Sequence, residues 1–139
     1  MEDRLTPLQV EILDVVWNSG PLSATDIWRV IAARRRIART TILTMISRLE
    51  NRGWLTREAG EGKALYAATR GAEDFRRDAA ASFVKEYFAG SPELLVKSLL
   101  GGSQLNDDEV ARLRSVLTQE LAKQVSSDGK ASDAGSATK

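Results

Sequence analysis

The chain contains no cysteine and no histidine. The first absence excludes disulfides, thiolate metal sites and a cysteine nucleophile. The second removes the usual general base, the commonest metal ligand and any Ser-His-Asp triad. Carboxylate-only catalysis would need a paired Asp/Glu constellation, and none emerges along the chain. The sequence therefore reads as a non-enzyme, with no catalytic residue, no metal site and no cofactor. Long apolar runs are missing too. Nothing approaches the roughly 18 apolar residues that span a bilayer, so no membrane insertion is expected. The N-terminus is acidic (Met1, Glu2, Asp3) and has no signal-peptide pattern, which makes the cytoplasm the expected location.

What is present is a soluble globular composition, 42% hydrophobic and 28% charged over 139 residues. That length suits one ordinary domain, or a small domain plus an appended arm. The net charge of +1 conceals an uneven distribution. Residues 29–57 carry Arg29, Arg34, Arg35, Arg36, Arg39, Arg48, Arg52 and Arg57 against Glu50 alone. Residues 73–139 hold nine Lys/Arg against eleven Asp/Glu. A near-neutral chain with one basic segment points to a local polyanion-binding face.

The fold class expected is mainly α with a small β component (α+β): a winged helix-turn-helix domain over residues 1–72, then a helical dimerisation arm over 73–125. A first helix starts at Thr6-Pro7-Leu8-Gln9, an N-cap threonine with Pro at the first position and Gln at the third. Its apolar stripe ends at Asn18-Ser19-Gly20-Pro21. Ser23 caps a second helix running to about Arg34, with Ile27, Trp28, Val30 and Ile31 as its buried face. The third helix spans about Arg39 to Arg52. Ile42, Met45, Ile46 and Leu49 form one apolar face, and Thr40, Thr44, Ser47 and Asn51 lie opposite at about 100° per residue. Gly53 stops it. Trp54–Arg57 and Ala64–Ala67 read as strands around the Gly60-Glu61-Gly62-Lys63 turn, and a short strand around Leu22 would pair as a third.

Beyond Gly71, helical patterns occupy about 73–89, 92–100 and 107–125, the last capped by Asn106 with Glu109 three residues on. Some 50 residues in short helices cannot easily build their own core. Their apolar faces need a partner surface, and a second copy of the chain is the economical one. From Ser126 the composition is Ser, Asp, Gly, Ala and Lys without apolar period, so residues 126–139 read as a disordered tail.

The third helix carries the functional signal. Small polar side chains let a helix enter the major groove of double-stranded DNA and bond to base edges. Thr40, Thr41, Thr44, Ser47 and Asn51 suit that role, with Arg39 and Arg48 beside them. The bland alternative is a solvated face, but such faces are usually rich in Glu and Lys, and this one is uncharged. Arg34-Arg35-Arg36 fits phosphate contact or simply a basic loop. Arg57 and Lys63 on the wing fit backbone contact or ordinary surface chemistry. Trp17, Trp28 and Trp54 read as core packing. Val110, Leu113, Leu117 and Leu121, with Phe83 and Tyr87, form the candidate dimer face.

Thr41-Ile42-Leu43-Thr44-Met45-Ile46-Ser47-Arg48-Leu49 followed by Arg52-Gly53 resembles the recognition helix of the penicillinase-repressor family, the BlaI, MecI and CopY type. The resemblance extends to Leu8, Glu11-Ile12 and Val16-Trp17, to Gly62-Lys63 and Tyr66 in the wing, and to Phe83, Tyr87-Phe88, Gly90, Gln104-Leu105-Asn106 and Glu109 in the arm. It covers about residues 5 to 122. It implies a homodimeric repressor on pseudo-palindromic operator DNA of its own and neighbouring genes. In the beta-lactam branch a membrane sensor-protease triggers cleavage of an Asn-Phe bond in the arm. That bond falls at Ser98-Leu99 here, so its residues differ. The copper branch uses a cysteine cluster that this chain lacks. Thr40 stands where the family commonly has a basic residue. Two other readings compete: a MarR-like winged-helix regulator released by a small molecule, and a winged-helix protein-interaction module. The eight arginines oppose the second.

Overall fold

A computed structural model describes residues 4–102 and 104–137, with side chains described through residue 125. The element order is α1 (Pro7–Ser19), α2 (Ala24–Ala32), α3 (Arg39–Asn51), β1 (Leu55–Ala59), β2 (Ala64–Ala68), α4 (Ala72–Tyr87), α5 (Pro92–Gly101) and α6 (Asp107–Ala137). These form two compact units, Met1–Ala81 and Ser82–Lys139. The first is a winged helix.

Local chemistry sets the boundaries of its helices. At α1, the Gln9 amide donates to Thr6 Oγ1 at 3.2 Å, and the Thr6 amide donates to Gln9 Oε1 at 2.9 Å. This reciprocal pair satisfies two amides that the helix leaves open. Ser23 Oγ accepts the Asp26 amide at 3.1 Å to start α2. That helix ends at Ala32, slightly short of the expected Arg34. α3 ends by pairing the Gly53 amide with the Glu50 carbonyl (3.0 Å) and the Trp54 amide with the Leu49 carbonyl (2.9 Å). Both bonds need Gly53 at φ +83°, a left-handed value that a side chain would strain. Trp54 thus belongs to the helix stop, and the strand begins one residue later than expected.

The hairpin pairs Leu55 with Ala68 through to Ala59 with Ala64. Its turn closes with the Gly60 amide on the Lys63 carbonyl at 2.8 Å. Instead of a third strand, Leu22 makes one antiparallel bridge to Tyr66, with bonds of 3.2 and 2.8 Å.

The core comprises Ile12, Leu13, Val15 and Val16 of α1, Ile27 and Ile31 of α2, Ile42, Ile46 and Leu49 of α3, and Leu55 of β1. Four elements therefore contribute to one apolar cluster, and the cluster fixes which face of α3 points outward. Met45, Trp17, Trp28 and Trp54 pack against it half-buried. Ile46→Ala should lower unfolding free energy by about 2–5 kcal/mol in urea denaturation, as expected for a buried aliphatic truncation. A loss under about 1 kcal/mol would mean the core around α3 is loosely packed.

The first unit extends past residue 72 because the start of α4 is fastened to it. Phe75 lies 5.4 Å from the Trp17 ring and 5.5 Å, edge-on, from Trp54. Arg76 reaches Asp14 at 2.8 Å and lies over Trp17. Trp17 Nε1 donates to the Arg70 carbonyl at 2.8 Å.

The second unit holds the rest of α4, α5 and α6. Ser91 caps α5, and Asn106 with Glu109 forms a reciprocal cap on α6. The tail expected to be disordered, residues 126–139, falls in the last part of α6. Its backbone is helical to Ala137, no proline being present to stop the ladder, and residues 138–139 lie outside the described residues.

Candidate nucleic-acid interface

With Ile42, Ile46 and Leu49 facing inward at 0–1% exposure, the opposite side of α3 stands clear of the protein. Thr40, Thr41, Thr44, Ser47, Arg48 and Asn51 are all exposed, as is Arg39 at the first turn. Leu43, 38% exposed, is the one apolar residue beside them. Thr44 Oγ1 donates to the Thr40 carbonyl at 3.0 Å. That bond spends the hydroxyl hydrogen inside the helix and leaves the oxygen lone pairs and the methyl group to face outward. The surface therefore offers acceptors, methyl groups and an amide at close range, with no carboxylate among them.

The cations around this face fall into two groups. Arg34 (3.5 Å) and Arg35 both pair with Glu11 of α1. Arg29 and Lys63 share Asp26 of α2 at 3.3 and 3.6 Å. Arg57 of the wing bonds Glu50 of α3 at 3.1 Å and lies 5.7 Å from the Tyr66 ring centre. Tyr66 and then Glu50 favour its charged form, so its pKa is raised. Arg39 donates to Thr25 Oγ1 at 2.6 Å, a contact that leaves its charge uncompensated. Arg52 reaches the Arg4 carbonyl at 3.5 Å. Arg36 and Arg48 are the arginines of this segment without a partner among the described residues.

Seven of the expected DNA-contacting residues, from Arg39 to Asn51, thus share one exposed face. Arg57 joins it through Glu50. Lys63 is drawn instead to α2, where it lines a shallow concavity with Ser23, Thr25, Asp26, Arg29 and Tyr66. The role of Glu11 and Asp26 as counterions escaped the sequence reading. Glu11 lies 24 residues from Arg35, and no local spacing announces such a pair.

In the arm, Phe83, Tyr87, Leu113, Leu117 and Leu121 are exposed, and Val110 is half-buried. Phe83 lies 5.1 Å from Tyr87 and 5.5 Å from Phe88. No described side chain between residues 82 and 125 is buried. Ser98 and Leu99 sit inside α5, where Ser98 Oγ donates to the Leu94 carbonyl at 2.8 Å.

Three helices, a two-stranded wing and an outward polar face on the third helix, with exposed Arg39 and Arg48, are those of a winged-helix, DNA-binding transcriptional regulator. Residues 5–119 match the penicillinase repressor family, and the chain belongs to that family. It is 24% identical over 107 residues to a penicillinase repressor of Staphylococcus aureus, covering 77% of this chain and 85% of the relative. It is also 24% identical over 117 residues to the methicillin resistance regulatory protein MecI of Mammaliicoccus sciuri, covering 84% and 95%. Among solved structures, a mutant MarR from E. coli shares the fold at a TM-score of 0.52 and 19% identity, covering 84% of this chain and 78% of that one. The same mutant complexed with operator DNA gives 0.51 and 20%, covering 84% and 76%. The family is one of transcriptional repressors, and the fold is a winged helix. No helix among the described residues is long and apolar enough to cross a membrane.

Proposed function

We propose that this protein is a cytoplasmic homodimeric repressor that lays α3 of each protomer into the major groove of one half of a pseudo-palindromic operator. The observation that carries this reading is the α3 surface, in which exposed Thr40, Thr44, Ser47 and Asn51 are flanked by Arg48, a guanidinium with no partner among the described residues. A face built for solvent alone has no reason to exclude Glu and Lys. Arg48 and Arg36 serve as phosphate anchors, and Thr40, Thr41, Thr44, Ser47 and Asn51 read base edges. The wing, through Arg57 and Lys63, touches the flanking backbone.

The arm supplies the second half-site. Its exposed Leu113, Leu117 and Leu121 need apolar cover, and burying each contributes about 1.5–3 kcal/mol. A second copy of the same stripe provides that cover and links two modest half-sites into useful affinity. Release through a membrane sensor-protease belongs to this reading as its least constrained part. The corresponding bond, Ser98-Leu99, is helical, so a protease has to open α5 before cutting.

Affinity for duplex DNA should fall steeply with salt. Arg36 and Arg48 of both protomers, all four on phosphates, give a log–log slope at least as steep as about −4 at about −0.9 per phosphate, and the wing contacts steepen it further. Gel-shift titrations over a salt series measure it. An affinity indifferent to salt would overturn the phosphate contacts, and recovery of bound genomic fragments supplies the operator itself.

A further inference from the structure

We propose that Glu11, Asp26 and Glu50 are specificity-determining counterions, which occupy basic side chains around α3 and so hold down binding to DNA other than the operator. This rests on the reading of α3 as the DNA-contacting helix and adds a role for carboxylates that do not themselves read bases.

One such acid sits on each helix of the winged-helix core, and together they engage Arg29, Arg34, Arg35, Arg57 and Lys63. The pairs are asymmetric. The Glu11 and Glu50 side chains are 23% and 29% exposed, against 48–56% for the arginines they hold. The acid end is seated on the protein body, and the cationic end projects outward. A phosphate can therefore approach the cation without first displacing the acid. Exposed pairs of this kind are weak, so each can be exchanged.

At a distance the pairs look neutral. A carboxylate within 4 Å cancels most of the field of its arginine beyond a Debye length of about 8 Å. Random DNA, which α3 does not seat closely, then meets chiefly Arg36, Arg39 and Arg48. On the operator, base contacts along α3 bring the flanking phosphates near, and the paired cations exchange carboxylate for phosphate. Glu50 bears most directly on α3, because it lies on that helix itself, one residue from Asn51.

The test uses the full-length protein and a fluorescent duplex of random sequence, with anisotropy titrations across a salt series. Glu50→Gln keeps the side-chain shape and frees Arg57. It should tighten random-duplex binding about fivefold and steepen the salt slope by about 1 per protomer. Glu11→Gln frees two arginines and should steepen the slope by about 2. Glu58→Gln removes the same charge from the wing, where Glu58 has no partner among the described residues, and should change binding less than either. Thermal unfolding of each variant confirms that the fold is kept. Weaker or unchanged random-duplex binding by the Glu11 and Glu50 variants overturns the counterion role. So does a Glu58→Gln effect as large as theirs, since net charge alone would then explain the gain. A wild type that binds no duplex at any salt overturns the DNA reading and this proposal together. A wild type that binds, but matches its Gln variants, overturns this proposal alone.

Discussion

Arg48→Ala should weaken binding to operator and random DNA by the same factor, about 10- to 100-fold per protomer, whereas Thr44→Ala should mainly erode discrimination between them. The first expectation follows from charge. A charge-assisted hydrogen bond contributes about 1.5–3 kcal/mol, and Arg48 has no partner among the described residues that would offset its loss. Phosphates are the same in every sequence, so the loss is uniform. The second follows from geometry. Thr44 lies mid-face with its hydroxyl hydrogen bonded inward to the Thr40 carbonyl at 3.0 Å, so only its acceptor lone pairs and its methyl group reach the groove. A lost base contact costs about 1–3 kcal/mol on the matching sequence and little elsewhere. Stability should hardly change, since alanine is a better helix former and the inward bond slightly opposes the helix. Competition gel shifts with the recovered operator and a random duplex measure both effects. Identical behaviour of the two variants on both DNAs would remove α3 from the role of base reader.

Much of this site was legible because its determinants are local. The Ile42, Ile46 and Leu49 spacing identifies the inward face of α3, and that assignment alone places Thr40, Thr44, Ser47 and Asn51 outside. Caps are local too: Thr6 with Gln9, Ser23 with Asp26 and Asn106 with Glu109 all hold their helices as their spacing suggested. What stayed hidden depends on contacts remote in sequence. Nothing around Phe75 shows that it fills the space between Trp17 and Trp54, so the first unit runs on to Ala81. The basic segment is a related case. Its eight arginines count as free charges in the sequence, but Glu11, on α1 and outside that segment, engages two of them, Arg34 and Arg35, in the folded chain.

Cutting the arm should separate dimerisation from folding. A chain ended after Ala81 keeps Phe75 on its two tryptophans, Arg76 on Asp14 and Asp78 on Arg70, so it should fold and sediment as a monomer. A dimer persisting there would move the interface into the DNA-binding unit. The sharper experiment places an unrelated protease site between Val96 and Gly101 of the full chain and cuts the purified protein. Cutting detaches α6, and with it Leu113, Leu117 and Leu121 from both protomers. At about 1.5–3 kcal/mol for each large side chain, the lost burial is comparable with the roughly 12 kcal/mol that holds a nanomolar dimer together. Dimer affinity should therefore drop by orders of magnitude. Operator affinity should follow, because each α3 would then bind its half-site without the effective concentration its partner provided. Mass and operator binding are to be measured on the same cut sample. The order of events also matters: α5 is helical through Ser98 and Leu99, so the uncut segment should resist proteolysis until α5 opens, and replacing Leu95 by proline should speed the cut by breaking that helix. A cut protein that stays dimeric and holds operator at full affinity would rule out arm cleavage as an off-switch in this repressor.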